Sequence, residues 1–529
     1  MIVDTPSNSL LLRLRQPELV SKVIPRWSKP VAFEGHNIAV KFDLDVVRVL
    51  RNMGIKAPSP IRYKYKWPRP AKFKTVFDHQ IATAEFATLH QRLFILNEMG
   101  TAKTASALWA ADYMMTTNHV GKCLIVAPLS TLELVWVDEI FRCLMHRSCV
   151  VLHGSRDRRL ELLGTGADFY IINHDGLKII AGDLKKRKDI NLIIVDEAAA
   201  YRNGRTERYK VLSSILEPWH KLWLMTGTPC PNSPMDAWAL TRLVNPNNVP
   251  QYFGAWKRQT MMQMTQYKWV PRIGSHEMAF QAMQPAIRFK KSECLDLPPV
   301  TFENRKCAIT APQAAALKEM KREAATLLAN GVQITAANAA DKIGKMRQIL
   351  CGAVKDKETD TYHRLDYAPR LDLLLECVEQ AAAKVLIIVP FKGILYQLQE
   401  DVTKAWSAGA QGWECDFVNG DVTPKQRAEK FRWFKQTPSA KALLCHPRVM
   451  AHGITATEAD MLIFYAPIYS NEESQQVMER INRPGQTLKM TVIRIAASSV
   501  EWNIYNQVEG KRLSQESILE MYKKELLAL

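Results

Sequence analysis

Two series of short, continuous apolar runs constrain this chain more than any other feature. Cys123–Ala127, Phe169–Ile172, Leu192–Val195 and Lys221–Met225 form the first series. Val385–Val389, Ala442–Leu444, Met461–Phe464 and Met490–Ile493 form the second. A strand with one wet face alternates apolar and polar residues, whereas unbroken Leu, Ile and Val runs mean that both faces are covered. Runs of this kind separated by amphipathic helical stretches predict a parallel sheet with helices on each side. Two series predict two α/β lobes, which suits 529 residues, because single cores stop growing near roughly 250–300 residues. Between the series, Ala311–Ala340 is alanine-rich with a helical period, and Lys355–Tyr367 reads as a charged loop.

The net charge is +18, and it is unevenly spread. Met1–Thr75 holds 15 Lys and Arg against 5 Asp and Glu. Such a bias suits a polyanionic partner, since each phosphate neutralised releases counterions; a solvated basic face is the alternative. This stretch predicts a small α+β module over residues 1–74. Asp43 or Asp45 caps a helix there, the helix buries Val46, Val47, Val49, Leu50 and Met53, and Gly54 stops it. From Pro58 to Pro70 and on to Lys74, cations including Lys64 and Lys66 interleave with Tyr63, Tyr65, Trp67 and Phe73. That mixture suits a surface that grips a nucleic-acid backbone or stacks on bases, or else a linker packed on the lobes. The chain lacks an apolar run near the ~20 residues of a membrane span, and its first residues do not read as a signal peptide. Ten cysteines occur with no C-x-x-C pair, so reduced thiols in a cytoplasmic protein are expected rather than a disulfide or zinc framework.

Chemistry enters at Glu98-Met99-Gly100-Thr101-Ala102-Lys103-Thr104, between the apolar stretch Leu93–Leu96 and the helical stretch Ala105–Met114. A strand-to-helix loop can wrap phosphates with backbone N–H groups at the positive end of a helix. Here Gly100, Thr101 and Ala102 form the wrap, Lys103 meets the β and γ phosphates of ATP, and the Thr104 hydroxyl ligates magnesium. Ala102 stands where glycine is usual, and alanine is strained wherever a positive φ is required. Some ninety residues on, Leu192–Val195 delivers Asp196 and Glu197 to the carboxyl end of a strand, where α/β ligands bind. Asp196 is read as the magnesium carboxylate and Glu197 as the group that orients and deprotonates water.

In this order, the blocks from Val76 to Arg494 resemble the Swi/Snf-like DNA translocases of helicase superfamily two. The resemblance implies two RecA-like lobes with a C-terminal helical brace. Asp78-His79-Gln80 is similar to the block in which Gln80 reads adenine. Leu124–Ser130 resembles the block whose Pro128 and Ser130 touch the DNA backbone. Val195–Asn203 resembles the extended motif II, with Ala199 in place of the usual histidine. Leu224–Pro229, followed by Asn232, resembles motif III, whose Thr226 and Thr228 link hydrolysis to DNA. Leu295–Pro299 resembles the crossover out of the first lobe, and Met346–Ile349 the block opening the second. Val385–Phe391 and Asn419–Asp421 with Arg427 resemble the blocks that follow. Gly453–Asp460 resembles motif V, placing Gly453 and Thr455 at DNA phosphates. Gln476, Arg480 and Arg483-Pro484-Gly485-Gln486 resemble motif VI, with Asn482 in place of the usual histidine. There Gln476 faces nucleotide, and Arg480 and Arg483, at i and i+3 of one helical face, act as arginine fingers.

These readings divide the chain into a basic accessory module (1–74), a first lobe with the ATP site (75–297), a second lobe with a helical insertion and the arginines (298–499) and a brace helix (500–529). The resemblance implies a compact motor of bacteriophage or bacterial type, monomeric on double-stranded or branched DNA. It would remodel DNA by fork reversal, branch migration, annealing or protein displacement. A strand-separating helicase and a catalytically weak ATP-binding scaffold are the alternatives; the sequence identifies no wedge for the former, and Ala102, Ala199 and Asn482 motivate the latter.

Overall fold

The apolar runs become strands of two parallel sheets in the computed structural model, one in each of the units Met1–Leu295 and Asp296–Leu529. The structure describes residues 1–69, 75–227, 233–264, 269–294, 297–329, 336–355, 361–407, 409, 412–450, 456–483 and 485–509. At 130, 134, 321, 323–329, 336–340, 424, 472 and 508–509 it describes the backbone alone.

The first unit opens with an antiparallel sheet of β1 (Ile2–Asp4), β2 (Ser9–Leu12), β3 (Ser28–Phe33) and β4 (His36–Lys41), in the order β1-β2-β4-β3. Leu10, Leu12, Ile38, Val40 and Phe42 bury against the helix Leu44–Asn52. Of the two candidate caps, Asp43 is the one used: its carboxylate accepts the Val46 N–H at 2.9 Å. Gly54, at φ +83°, ends the helical region.

The aromatic and basic stretch that follows the helix is largely packing. The Tyr65 hydroxyl donates to Asp112 at 2.6 Å, and Trp67 meets Trp109 edge-on at 5.6 Å. The Trp109 indole N–H in turn donates to Pro68 O at 2.8 Å. These rings fix the module to the helix Lys103–Thr116, so the base-stacking expectation for Tyr65 and Trp67 is corrected: burying their apolar bodies wins over exposure. The ammonium of Lys64 is also committed, to the Asn8 side chain and Phe42 O, and desolvation lowers its pKa. Lys66 remains exposed, and residues 70–74 lie outside the described residues.

The main sheet of this unit comprises β5 (Arg92–Ile95), β6 (Lys122–Ala127), β7 (Cys149–Val151), β8 (Phe169–Asn173), β9 (Ile190–Asp196) and β10 (Lys221–Met225). A hairpin of β11 (Met261–Gln263) and β12 (Trp269–Pro271) precedes the last strand, β13 (Ala286–Ile287). The parallel order is β13-β5-β10-β9-β6-β8-β7. Register decides where the chemistry sits. Met225 is level with Ile95 on one side and with Asp196 on the other, so β5, β10 and β9 end on one rim.

In the second unit, β14 (Val300–Lys306), β17 (Lys384–Ile388), β18 (Glu414–Val418), β19 (Ala440–Cys445), β20 (Ala459–Phe464) and β21 (Met490–Ala496) form the parallel order β14-β21-β20-β17-β19-β18. The alanine-rich region gives the helices Ala311–Ala329 and Ala336–Leu350. The expected loop at 355–367 is corrected in part, because β15 (Ala353–Lys355) and β16 (Tyr362–Arg364) pair as an antiparallel ladder. The described residues end with the helix Ser499–Glu509, which packs Val500 and Ile504 against Met346 and Ile349 of its own unit. Residues 510–529, the rest of the expected brace, lie outside the described residues. The nine described cysteines are free thiols, and among the described residues no helix is long and apolar enough to cross a membrane.

That helix is held by a fully buried ion pair. Arg370 Nη2 and Glu501 Oε1 lie 2.9 Å apart at 1 % and 0 % exposure. Arg370 also donates to Leu350 O and Ile495 O, both at 3.2 Å, and Glu501 accepts the Ala497 N–H at 2.7 Å. Removing one partner strands a buried charge, at a cost of roughly 3–5 kcal/mol. Glu501→Ala is therefore expected to lower the urea midpoint of the second unit's transition in the full chain. The double variant Arg370→Met/Glu501→Ala should recover most of the loss, and equal midpoints for both would refute the stranded-charge account.

Candidate active site

The phosphate loop leaves β5 through Asn97 and Glu98 and enters the helix Lys103–Thr116. Gly100 has φ +81°, and Ala102 has φ 56° and ψ 43°, the left-handed region. Ala102 therefore adopts the conformation for which the usual glycine is suited, and its Cβ strain is retained rather than avoided. Alternating hands in successive residues make an anion-binding concavity, here at a helix start. Thr101 is buried, and its hydroxyl donates to Glu98 O at 2.7 Å. Lys103 Nζ donates to Asn97 O at 2.8 Å and Glu98 O at 3.2 Å, which holds it over the loop. Thr104 is half-buried one residue on.

Three further groups, unassigned by sequence reasoning, set the loop's position. His79 donates its Nε2–H to Thr101 O at 3.0 Å, and burial lowers its pKa. Its ring stacks on Phe77 at 5.4 Å. The neighbouring Gln80 is buried, and its side-chain oxygen accepts the Phe77 N–H at 3.1 Å. Asn97 donates to the Thr83 hydroxyl at 2.8 Å and accepts the Phe289 N–H at 3.1 Å. Glu98 accepts the Lys291 N–H at 3.0 Å. The adjacency of His79 to Gln80, and of Asn97 and Glu98 to the phosphate loop, was a usable signal, but their partners Thr83, Phe289 and Lys291 were not legible locally.

At the end of β9, Asp196 accepts the Glu197 N–H at 3.0 Å on one oxygen and the Trp136 indole N–H at 3.1 Å on the other. Trp136 is fully buried in the one-turn π-helix Leu132–Val137, a geometry frequent at functional sites. Sixty residues separate the pair, so the sequence gives no hint of it. Glu197 itself has φ +52°. A non-glycine residue in that region costs about 1–3 kcal/mol and persists only where the surroundings fix it. One such contact comes from Thr226, whose hydroxyl donates to Glu197 Oε1 at 3.0 Å while its N–H donates to Ile95 O at 3.1 Å. At Gly227 a Cβ would stand 3.0 Å from Met99 Cγ and 3.7 Å from Lys103 Nζ, so this segment abuts the phosphate loop and glycine lets it approach. Lys103, Asp196, Glu197 and Thr226 thus share one rim. A cavity of about 620 Å³ beside His90, Arg92, Glu217 and Asn245 lies at the opposite, amino end of β5 and β10. Its Arg92 is committed to Leu243 O and Glu217 O, a structural use.

The comparisons with known proteins bear on what this rim is for. The model of the SNF2-related domain matches residues 79–358, over half of the chain, and that of the helicase conserved C-terminal domain matches 369–485. The chain belongs to the SNF2-related family. It is a Swi/Snf-like protein of helicase superfamily two. Among its relatives, the ISWI chromatin-remodeling complex ATPase ISW1 of Saccharomyces cerevisiae is 24% identical over 446 residues, covering 80% of this chain and 38% of that protein. This SNF2-related chain spans well under half the length of that relative. The putative protein p41 of Acyrthosiphon pisum secondary endosymbiont phage 1 is 22% identical over 449 residues, covering 80% of this chain and 94% of p41. The Sulfolobus solfataricus SWI2/SNF2 ATPase core in complex with dsDNA is 20% identical, with 84% of this chain and 92% of that one covered and a TM-score of 0.40.

In the second unit the family's arginines are placed differently from the expectation. The helix Asn471–Ile481 carries Gln476, which is buried, and Arg480, whose Nε donates to Met450 O at 2.9 Å. The Arg480 carbonyl accepts the Ala456 N–H at 2.9 Å, tying this helix to motif V. Arg483 is not on the same helical face. Asn482 caps the helix at φ −82° and ψ 80°, and Arg483 precedes Pro484, which disfavours helical backbone before it. Gln486 turns back to donate to Ala459 O at 2.8 Å, bracing the turn. Pro128 follows β6 at the carboxyl end of the first sheet. The Ser130 side chain and residues Thr228, Asn232, Gly453 and Thr455 lie outside the described residues.

Left-handed backbone costs an L-residue about 1–2 kcal/mol, partly offset in a glycine variant by greater unfolded-state freedom. Ala102→Gly is accordingly expected to raise the unfolding free energy by ~0.5–1 kcal/mol in denaturant titration. A loss of that size would show that the Cβ contributes packing that outweighs its strain.

Proposed function

We propose that this chain is an ATP-driven translocase on double-stranded DNA. The observation that supports it most is the Thr226–Glu197 hydrogen bond, because it joins the carboxylate suited to activating water to the motif III segment. The donor set fits magnesium ATP: a threonine hydroxyl and a carboxylate are the hard oxygen ligands magnesium takes, beside a positive-φ loop and a lysine. Thr104 and Asp196 would hold the ion, which neutralises charge on the phosphates when bound.

The remaining work falls to the chain's own residues. Gly100, Thr101, Ala102 and Lys103 bind the β and γ phosphates, and Gln80 reads the adenine edge beside the His79–Phe77 stack. Trp136 fixes the carboxylate of Asp196. Glu197 orients a water molecule and takes its proton as the water oxygen bonds to the γ-phosphorus and the bridging bond to ADP breaks. Gln476, Arg480 and Arg483 of the second unit serve the nucleotide, the arginines stabilising charge on the transferred group. Pro128, Ser130, Thr228, Gly453 and Thr455 are the proposed DNA-backbone positions; Thr226, buried with its hydroxyl on Glu197, is corrected from a DNA contact to the link between hydrolysis and those positions. Lys66, with the other exposed cations of the N-terminal module, is assigned to branched or duplex DNA. The chain is proposed to act as a monomer on DNA in the cytoplasm. Fork reversal, branch migration, annealing and protein displacement are the outputs this reading allows.

The test is ATP hydrolysis with and without duplex DNA, alongside displacement of a third strand from a triplex. Wild-type protein is expected to show duplex-stimulated hydrolysis and third-strand displacement. Glu197→Gln should lose at least about a hundredfold in rate, within the range for a positioned general base, while still binding nucleotide. Equal, DNA-independent rates in both proteins would overturn the reading in favour of an inert scaffold.

A further inference from the structure

The three side chains that serve the nucleotide from the second unit, Gln476, Arg480 and Arg483, stand on the helix Asn471–Ile481 or just beyond it. Their placement therefore depends on how the chain enters that helix. β20 ends at Phe464, level with Ile388 of β17, so the segments after both strands leave from one rim. From there residues Tyr465 to Ser470 lead into the helix, and the Ser470 hydroxyl caps it by accepting the Glu473 N–H at 3.1 Å.

Two buried guanidinium groups hold this entry segment. Arg370, already paired with Glu501, donates its Nε–H to Tyr465 O at 3.2 Å. Arg347 donates through Nη2 to Pro467 O. Arg347 is 3 % exposed, and its guanidinium carbon lies 4.3 Å from the centre of the Tyr469 ring and 4.9 Å from that of Phe391. Phe391 is the third residue after β17, and Tyr469 is the fifth after β20. One flat cation thus touches the exits of two neighbouring strands.

The base of Arg347 is fixed as firmly as its tip. It stands in the last turn of the helix Ala336–Leu350, where free carbonyls would otherwise fray. Gln313 Nε2 donates to Ile349 O at 2.9 Å and to Leu350 O at 3.1 Å, and Arg370 donates to Leu350 O at 3.2 Å. Met346 and Ile349 are buried against Val500 and Ile504, and Tyr469 packs on the same cluster. Covering that cluster needs only an apolar side chain, and burying a cation is costly unless specific partners match it. Among the described residues no carboxylate pairs with Arg347; its charge is met by one carbonyl and two rings. Such partners are directional, because a guanidinium is planar, so they fix where the segment lies.

We propose that Arg347 is a positioning residue for ATP hydrolysis: by fixing Pro467 and Tyr469 it sets the entry of the helix Asn471–Ile481 and, through it, where Arg480 and Arg483 stand. The proposal rests on the reading of those two as arginine fingers and adds to it a residue that touches no nucleotide. Moving a transition-state contact by about 1 Å can cost on the order of a hundredfold in rate. The phosphate loop of the first unit, which binds the substrate, is left alone. The effect therefore falls on kcat and not on KM.

The test measures duplex-stimulated ATP hydrolysis by the full chain, well below the melting midpoint of each variant. Arg347→Met should lower kcat at least about tenfold with KM for ATP within about twofold. The same change in the Arg480→Ala/Arg483→Ala chain, followed in single turnover, should cost less than about twofold more, because it acts through those arginines. Equal losses in both backgrounds would overturn the positioning role and leave Arg347 as general scaffold. An unchanged kcat, with or without a raised KM, would overturn it as well. Arg347→Lys keeps a charge and a donor but lacks the flat face; it should lose kcat in the same way, and it carries the comparison if the methionine variant does not fold. A lysine variant equal to wild type would overturn the proposal while leaving the arginine fingers standing. Arg480→Ala/Arg483→Ala hydrolysing at the wild-type rate would instead overturn the finger reading, and the proposal with it.

Discussion

The alignment of three parallel strands is the constraint on which the rest of the first unit depends. Because Ile95, Met225 and Asp196 are level across β5, β10 and β9, the loops that follow them leave from one rim. Each loop carries one component: a cationic phosphate loop, a carboxylate pair and a threonine. A one-residue slip of any strand would reverse which side chains face each layer and would move its loop along the rim. Close packing of side chains of different size on both faces resists such a slip, so the same residues that build the core also fix the chemistry.

Two of the six described non-glycine residues with positive φ stand at this rim. Ala102 and Glu197, on adjoining loops, both hold left-handed backbone without being glycine. Each is fixed from outside itself: the loop of Ala102 by His79 and Asn97, and Glu197 by Thr226. Asp196 is held the same way by an indole from a distant π-helical turn. The second unit uses a different device, a buried Arg370–Glu501 pair that specifies where its last described helix docks. Both arrangements put demanding backbone or charge inside a surround that over-determines it.

Much of this was legible in the chain itself. The eight apolar runs fall in strands β6, β8, β9, β10, β17, β19, β20 and β21, because period and hydrophobicity are local properties. The ordered motifs, from Gln80 to Gln486, identify the same family as the domain models. What stayed hidden depends on distance or competition. Trp136 reaches Asp196 across sixty residues, and no pattern signals such a contact. Tyr65 and Trp67 read as a nucleic-acid surface from composition, but helix Lys103–Thr116 offers them a better apolar partner than water. Arg483 read as helical by spacing, yet Pro484 constrains it from the next position. The β11–β12 hairpin is short and methionine-rich, with neither strong alternation nor a turn signature that sequence reasoning could recognise.

The central claim is that the rim of β5, β9 and β10 holds magnesium ATP through Lys103 and Asp196. Equilibrium titration of a fluorescent ATP analogue into the full chain tests it most directly, with and without magnesium. Saturable binding should weaken at least tenfold in Lys103→Ala, and chelating the metal should weaken wild type to the level of Asp196→Asn. Binding that is indifferent to both substitutions and to magnesium would contradict the account.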